Sequence, residues 1–184
     1  MPCTGEDYML KVATISQIRP ATVEIDHFVP ISIVFKEGVQ SPLYWRGKQG
    51  DRSLFEVGIC SLTGTIVSMT LVSIDPNQIV ESPFSSELVS GETIKMEGLP
   101  IVDMSPWPTE KREYQDSFCD EETALILRIW LDSVQIEIDG NLTNGKWYSS
   151  GQVFFGLNDK NMLSAVRITG LTKNEVSILT GFIA

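Results

Sequence analysis

One histidine, three cysteines and 24 carboxylates are the residues of this chain that could do chemistry. His27 stands in EIDHFVP beside Asp26, where a strand should end. Hydrolase triads and most zinc sites need histidine at defined positions, and one residue cannot serve as both a base and a ligand set. Cys3, Cys60 and Cys119 are odd in number and widely spaced, with no CxxC, so reduced thiols used as small apolar filler are expected. A Cys60–His27 pair would require the fold to join two distant segments. No GxGxxG, Walker A, HExxH or EF-hand pattern occurs, and NDKNML at 158–163 lacks the glycine and terminal glutamate of a calcium loop. Glu137 and Asp139 flank Ile138 and should share the solvent side of a strand. No carboxylate pair has a spacing that singles it out for glycoside hydrolysis. These residues predict a protein that is not an enzyme, with no catalytic residue, no metal and no cofactor.

The carboxylates are unevenly distributed. Of the net charge of −10, residues 81–122 carry most, with 11 acids against Lys95, Lys111 and Arg112. Phosphates attract Lys and Arg, so nucleic acid is excluded as the expected partner and a basic protein is favoured. The segment also carries aromatics, and we take Asp103, Trp107, Glu110, Glu113, Tyr114, Asp116, Asp120, Glu121 and Glu122 as the candidate partner-binding residues. The acids would steer a basic surface from a distance, and Trp107 and Tyr114, with Phe118, would anchor it on contact. The plainer reading is a solvated connector, bracketed by Pro106 and Pro108, whose aromatics pin it to the fold.

The elements that must position these residues read as β. At 184 residues and 42% hydrophobic, the chain is long enough to fold around its own core. Residues 8–15, 23–25, 31–35 and 43–46 read as short strands, with GKQGDRS at 47–53 as a turn. Residues 54–59 (LFEVGI) and 65–74 (TIVSMTLVSI) form a hairpin about Thr63-Gly64. Residues 124–131 (ALILRIWL) are nearly all apolar and predict a central strand buried on both faces, with Trp130 in the core. Residues 134–138 alternate, with Gln135 and Glu137 outward. Thr172 and Glu175 make a capping box for one short helix that Gly181 should stop. TIKMEGLPIV at 93–102 could hold a strand, and 105–122 reads as a long ordered loop.

A second hairpin, 152–157 (QVFFGL) and 162–169 (MLSAVRIT), aligns with the first. The alignment sets Gly58 on Gly156, Ile59 on Leu157, Ile66 on Leu163, Met69 on Val166 and Leu71 on Ile168. Chance matching of two apolar hairpins and internal duplication both remain open at this point. The expected fold is mostly β, sandwich-like or two similar antiparallel-sheet halves, with a short C-terminal helix. The expected organisation is one domain over 1–184, with β-rich halves at 1–80 and 123–184 joined by the acidic connector 81–122.

The hairpin LFEVGICSLTGTIVSMTLVSI and the tail VFFGLNDKNMLSAVRITGLTKNE resemble segments of the small immunity proteins encoded beside bacterial polymorphic toxins. The resemblance covers about 50 residues and lies in scaffold. It implies a cytoplasmic protein that neutralises a basic toxin domain by occluding its surface or active site. The start MPCTGEDYMLKV has acids where a signal peptide has bases, and no apolar run is long enough for a membrane span, which agrees with that location. A second class is a β-sandwich module without catalytic activity that binds a ligand or carbohydrate through Trp45, Trp107, Trp147 and Tyr148.

Overall fold

In the computed structural model, the described residues are 10–35, 42–82, 95–107, 117–140 and 145–183. Among them the chain forms β1 (Val12–Ser16), β2 (Ala21–Glu24), β3 (Ile31–Phe35), β4 (Leu43–Gln49), β5 (Ser53–Ile59), β6 (Ile66–Ser73) and β7 (Ile79–Glu81). There follow β8 (Lys95–Glu97), β9 (Leu99–Val102), β10 (Phe118–Glu122), β11 (Leu125–Ile129), β12 (Ser133–Ile138), β13 (Lys146–Ser150), β14 (Val153–Leu157) and β15 (Leu163–Thr169). One helix, α1 (Lys173–Thr180), comes last.

Alternation of apolar and polar residues gives β3, β4 and β11 one buried face, whereas β12, β14 and β15 bury residues on both, and the two sheets bury their inner faces against each other. A six-stranded sheet runs β10-β4-β5-β6-β3-β2 and a seven-stranded sheet runs β7-β11-β12-β15-β14-β13-β8. Trp45, Phe55, Met69 and Leu71 of the first pack in one core with Leu127, Ile136, Phe155 and Val166 of the second. Phe35 and Phe155 meet across the interface with ring centroids 6.0 Å apart. The mostly β, sandwich-like architecture with a short C-terminal helix is thus present.

The two sheets repeat one design. Strands β2 to β6 lie in the spatial order β4-β5-β6-β3-β2, all antiparallel, and β11 to β15 lie in the equivalent order β13-β14-β15-β12-β11. Register agrees residue by residue. Gly58 pairs with Ser68 as Gly156 pairs with Ala165, and Ile59 pairs with Ile66 as Leu157 pairs with Leu163. Each hairpin has a register shift at that same step. The next residue toward the turn also agrees: Gly64 and Asn161, aligned positions, both take left-handed backbone, with φ of 71° and 60°. The agreement of bulge and strand order makes the two sheets a structural repeat.

The segment 81–122 does more than connect. It supplies β8, which adds parallel to β13, and β10, which adds parallel to β4. It also supplies β9, which pairs with β1 as a separate two-stranded ribbon. That ribbon links the two hairpin turns: Ile101 bridges to Thr65, and Lys11 bridges to the aligned Met162. Gly98 separates β8 from β9 because the chains nearly touch there. A Cβ on it would come within 2.2 Å of Ile15 and 2.5 Å of the Ser16 carbonyl.

Several local expectations change. Residues 118–122, read as loop, form β10. The near-apolar run at 124–131 becomes a strand that alternates, with Leu125, Leu127 and Ile129 buried and Ile126 and Arg128 half-buried on the outer side. Trp130 follows it and lies on that outer side, half-buried, instead of in the core. Gln135 faces outward as expected but is buried. The capping box at Thr172 and Glu175 forms, and Leu179 is fully buried beneath α1. Gly181 is right-handed, with φ −63°, so the helix tightens into a 3-10 turn there instead of stopping on a left-handed glycine.

Candidate functional site

One end of the sandwich opens into a cleft of about 380 Å³. Its apolar wall comes from Leu10, Trp45, Ile138, Met162 and Leu163, and its polar rim carries Glu121, Asp139, Asp159 and Lys160. Among the described residues, the lining therefore carries three carboxylates and one ammonium group beside apolar side chains that are mostly buried.

Strand geometry explains how each residue reaches the cleft. In β10, Cys119 lies opposite Trp45 and Glu121 opposite Gly47, so both face inward. Near the end of the sheet that inward face meets the cleft, and Glu121 is exposed there although it points from the core side of its strand. The Trp45 indole lies back over Gly47; a Cβ on Gly47 would sit 2.3 Å from its ring. This posture lets Trp45 Nε1 donate to Glu121 Oε2 at 2.7 Å, which satisfies a donor on a side chain that is only 1% exposed. Asp139 departs from the alternation of β12 because its backbone turns left-handed, with φ 58°. That separates it from Glu137 and sends it to the cleft. The turn at 158–161 is held by the Asn158 carboxamide oxygen, which accepts from the Lys160 and Met162 backbone N–H groups at 3.0 Å each.

The candidate partner-binding residues fall in different places. Asp120 and Glu122 occupy the outer face of β10, opposite Arg46 and Lys48. Asp120 accepts from Arg46 Nε and Lys48 Nζ, both at 2.5 Å. Burial raises its pKa, but the bonds from Lys48 and Arg46 and their charges outweigh that, and the carboxyl is held below its ordinary value. Arg46 also lies 4.3 Å from the Phe118 ring centroid, and Phe118 stacks on Tyr44. Glu122 accepts from the Gly50 N–H at 2.9 Å. Asp103 closes its own turn by accepting from the Ser105 N–H, and that bond lowers its pKa. Trp107 is buried in the core at 4% exposure. Glu110, Glu113, Tyr114 and Asp116 lie outside the described residues. Of the nine, the cleft takes Glu121, and it adds Asp139, Asp159 and Lys160, which composition alone did not single out.

A second polar group lies on the outer face of the seven-stranded sheet. Arg167, at the middle strand, is 3% exposed and has its guanidinium about 5 Å from the rings of both Trp130 and Trp147. Its Nε donates to Gln135 Oε1 at 2.8 Å, Gln135 donates to Glu137, and Glu137 also accepts from Arg128 at 2.6 Å. Burial lowers the Arg167 pKa, and the Glu137 charge opposes that. Arg167 Nη1 is buried without a hydrogen-bond partner.

The thiols differ from the expectation of three reduced cysteines. Cys60 is free and buried in the β5–β6 turn. Cys119 is disulfide-bonded, and its partner is not among the described residues. His27 is exposed in the β2–β3 turn and does not meet Cys60. Register puts Ile31 beside Leu71 and Ile59 beside Ile66, so the two turns are at opposite ends of the sheet. Among the described residues no three His, Cys, Asp or Glu side chains are grouped to hold a metal, and no helix is long and apolar enough to cross a membrane.

The chain matches no protein-family model and no curated protein.

Proposed function

We propose that this protein is a non-catalytic binding protein whose cleft engages a basic protein partner, in the manner of an immunity protein that neutralises a toxin. The observation that carries this reading is the cleft itself, whose described lining holds three carboxylates and one lysine. Acidic charge accelerates encounter with a basic surface, and desolvated contact within the cleft then holds the complex. Asp120 contributes less than the sequence suggested, because Arg46 and Lys48 already balance its charge.

The carbohydrate reading is weaker. Stacking on sugars needs accessible rings, and Trp45, Trp107 and Trp147 are 1%, 4% and 7% exposed. A cytoplasmic location belongs to the toxin-neutralising reading, and the Cys119 disulfide, of a kind that persists best in an oxidising compartment, argues against it.

The test is capture of partners from the native host with the tagged full chain, at low and high salt. One basic protein retained at low salt, released by salt, and toxic when expressed alone supports the reading. Retention of no specific protein sinks it. Replacing Asp120, Glu121 and Glu122 together by lysine is a poor control, because all three are bonded within the fold.

A further inference from the structure

We infer that the cleft is a socket for one arginine side chain of the partner. This rests on the binding reading above and names the chemistry of that site. Its volume of about 380 Å³ is near the lower end of ligand pockets (roughly 300–1,000 Å³), enough for one long side chain but not for an extended segment. Of its apolar lining, the half-buried Met162 is the side chain that can pack along an aliphatic stem. The rim of Glu121 and Asp159 suits a cationic head. A guanidinium is planar, weakly hydrated and forked, so it can address two carboxylates at once.

The repeat supplies an internal comparison for this assignment. The corresponding turn of the other half is one residue longer and carries Ser61 and Leu62 where this one carries Asp159, so it has no acid. Gly47 has Ser150 as its counterpart, and the residue that follows β8 beside Ser150 is Gly98, so Glu121 also has a non-acidic counterpart. At that second end the chain runs on from Gly98 into β9, and Leu99 and Val102 are buried there in the core. Asp159 thus has no counterpart in the repeat, and Glu121 also serves the Trp45 indole. Both occur at the end that the described residues leave open.

The Trp45 indole N–H reports on the site directly, because its acceptor is Glu121. The experiment is an NMR titration of the isotope-labelled full chain with N-acetyl-arginine amide, and with N-acetyl-citrulline amide as the uncharged match in shape. The Trp45 peak is assigned through Trp45→Phe. Expected is a saturable, salt-sensitive shift of that peak at roughly 1 mM arginine amide, as suits so small a ligand. Citrulline amide should bind about tenfold more weakly, and Asp159→Asn and Glu121→Gln should each weaken the arginine probe by about threefold to tenfold, with the other indole peaks unmoved. No shift, an equal response to citrulline, or unchanged affinity in both variants would overturn the socket. A partner retained in the capture experiment and held equally by Asp159→Asn and Glu121→Gln would leave the binding reading in place and remove the arginine socket alone.

Discussion

Trp45 and Glu121 join the core to the cleft: an indole that is 1% exposed donates its N–H, at 2.7 Å, to a carboxylate that faces the cleft. The pair separates charge from hydrogen bonding. Glu121→Gln keeps an acceptor for the indole and should change stability by less than about 0.5 kcal/mol. Glu121→Ala leaves that buried donor without its partner and should cost about 1–2 kcal/mol. Urea unfolding of the two variants checks this. Equal losses would mean that the bond does not hold the indole in place.

Gly47 gives the indole its place. The backbone there is not left-handed, so any cost of substitution is steric. A Cβ would stand 2.3 Å from the Trp45 ring and 2.9 Å from Thr123. Gly47→Ala should destabilise by about 1–3 kcal/mol through displacement of a packed core ring. It should also move the Trp45 indole NMR peak toward that of Glu121→Ala. A stable variant with an unmoved peak would contradict the packing described here.

Asp120 links the strand to pH. Its carboxyl is held below the ordinary aspartate value in the folded chain, so it contributes stability above the unfolded value of ~3.9, and that contribution is lost as pH falls through the lower folded value. Glu175 shifts in the same direction through its bonds with Thr172. Asp120→Asn should cost about 0.5–1 kcal/mol at neutral pH, as expected for a half-exposed ion pair, and the difference from the parent should vanish in strong acid. Thermal melts across pH 2–7 decide it; a gap that is constant with pH would show that charge is not its origin.

How much of this was legible in the residues varies with the range of the interaction. The two hairpins were readable because apolar and β-branched residues dominate arms joined by short turns, and their alignment matches the structural repeat. Strand β10 was hidden because FCDEE has poor strand character on its own. It becomes a strand by pairing with β4, where Arg46 and Lys48 neutralise Asp120 and Gly47 gives Glu121 a place. Asp139 was hidden because one left-handed residue ended an otherwise clean alternation. Trp45 and Trp130 exchanged their expected places because sequence gives the character of a strand but not which of its faces meets the partner sheet.

The cysteines make a prediction about chemistry. Cys60 is a free thiol and Cys119 is disulfide-bonded. Burial pushes the Cys60 thiol up, but the Thr63 hydroxyl and the backbone at Leu62 and Thr63 outweigh it, and the pKa is lowered. Because the one cysteine is free and the other bonded, alkylation of the denatured, unreduced protein should label Cys60 and not Cys119, and reduction should expose Cys119 to label. Mass spectrometry of protein taken from its host reads both states. Three labelled thiols without reduction would return the protein to a reducing compartment and remove the argument for an oxidising one.

Arg167 tests what its buried cluster contributes. Nη1 lacks a partner, which is costly, yet the guanidinium lies between Trp130 and Trp147 and binds Gln135. Arg167→Ala removes the stem as well as the charge, leaving space between the rings and an unsatisfied Gln135 oxygen, and should cost about 3–4 kcal/mol. Arg167→Met keeps the stem and removes the orphan donor, so it should cost only about 1–2 kcal/mol despite the lost bond to Gln135. Both changes are far from the cleft, so neither should alter binding of the arginine probe. If Arg167→Met proves as damaging as Arg167→Ala, the charge and its bond outweigh the packing, and the cluster is held together by electrostatics instead of by the two tryptophans.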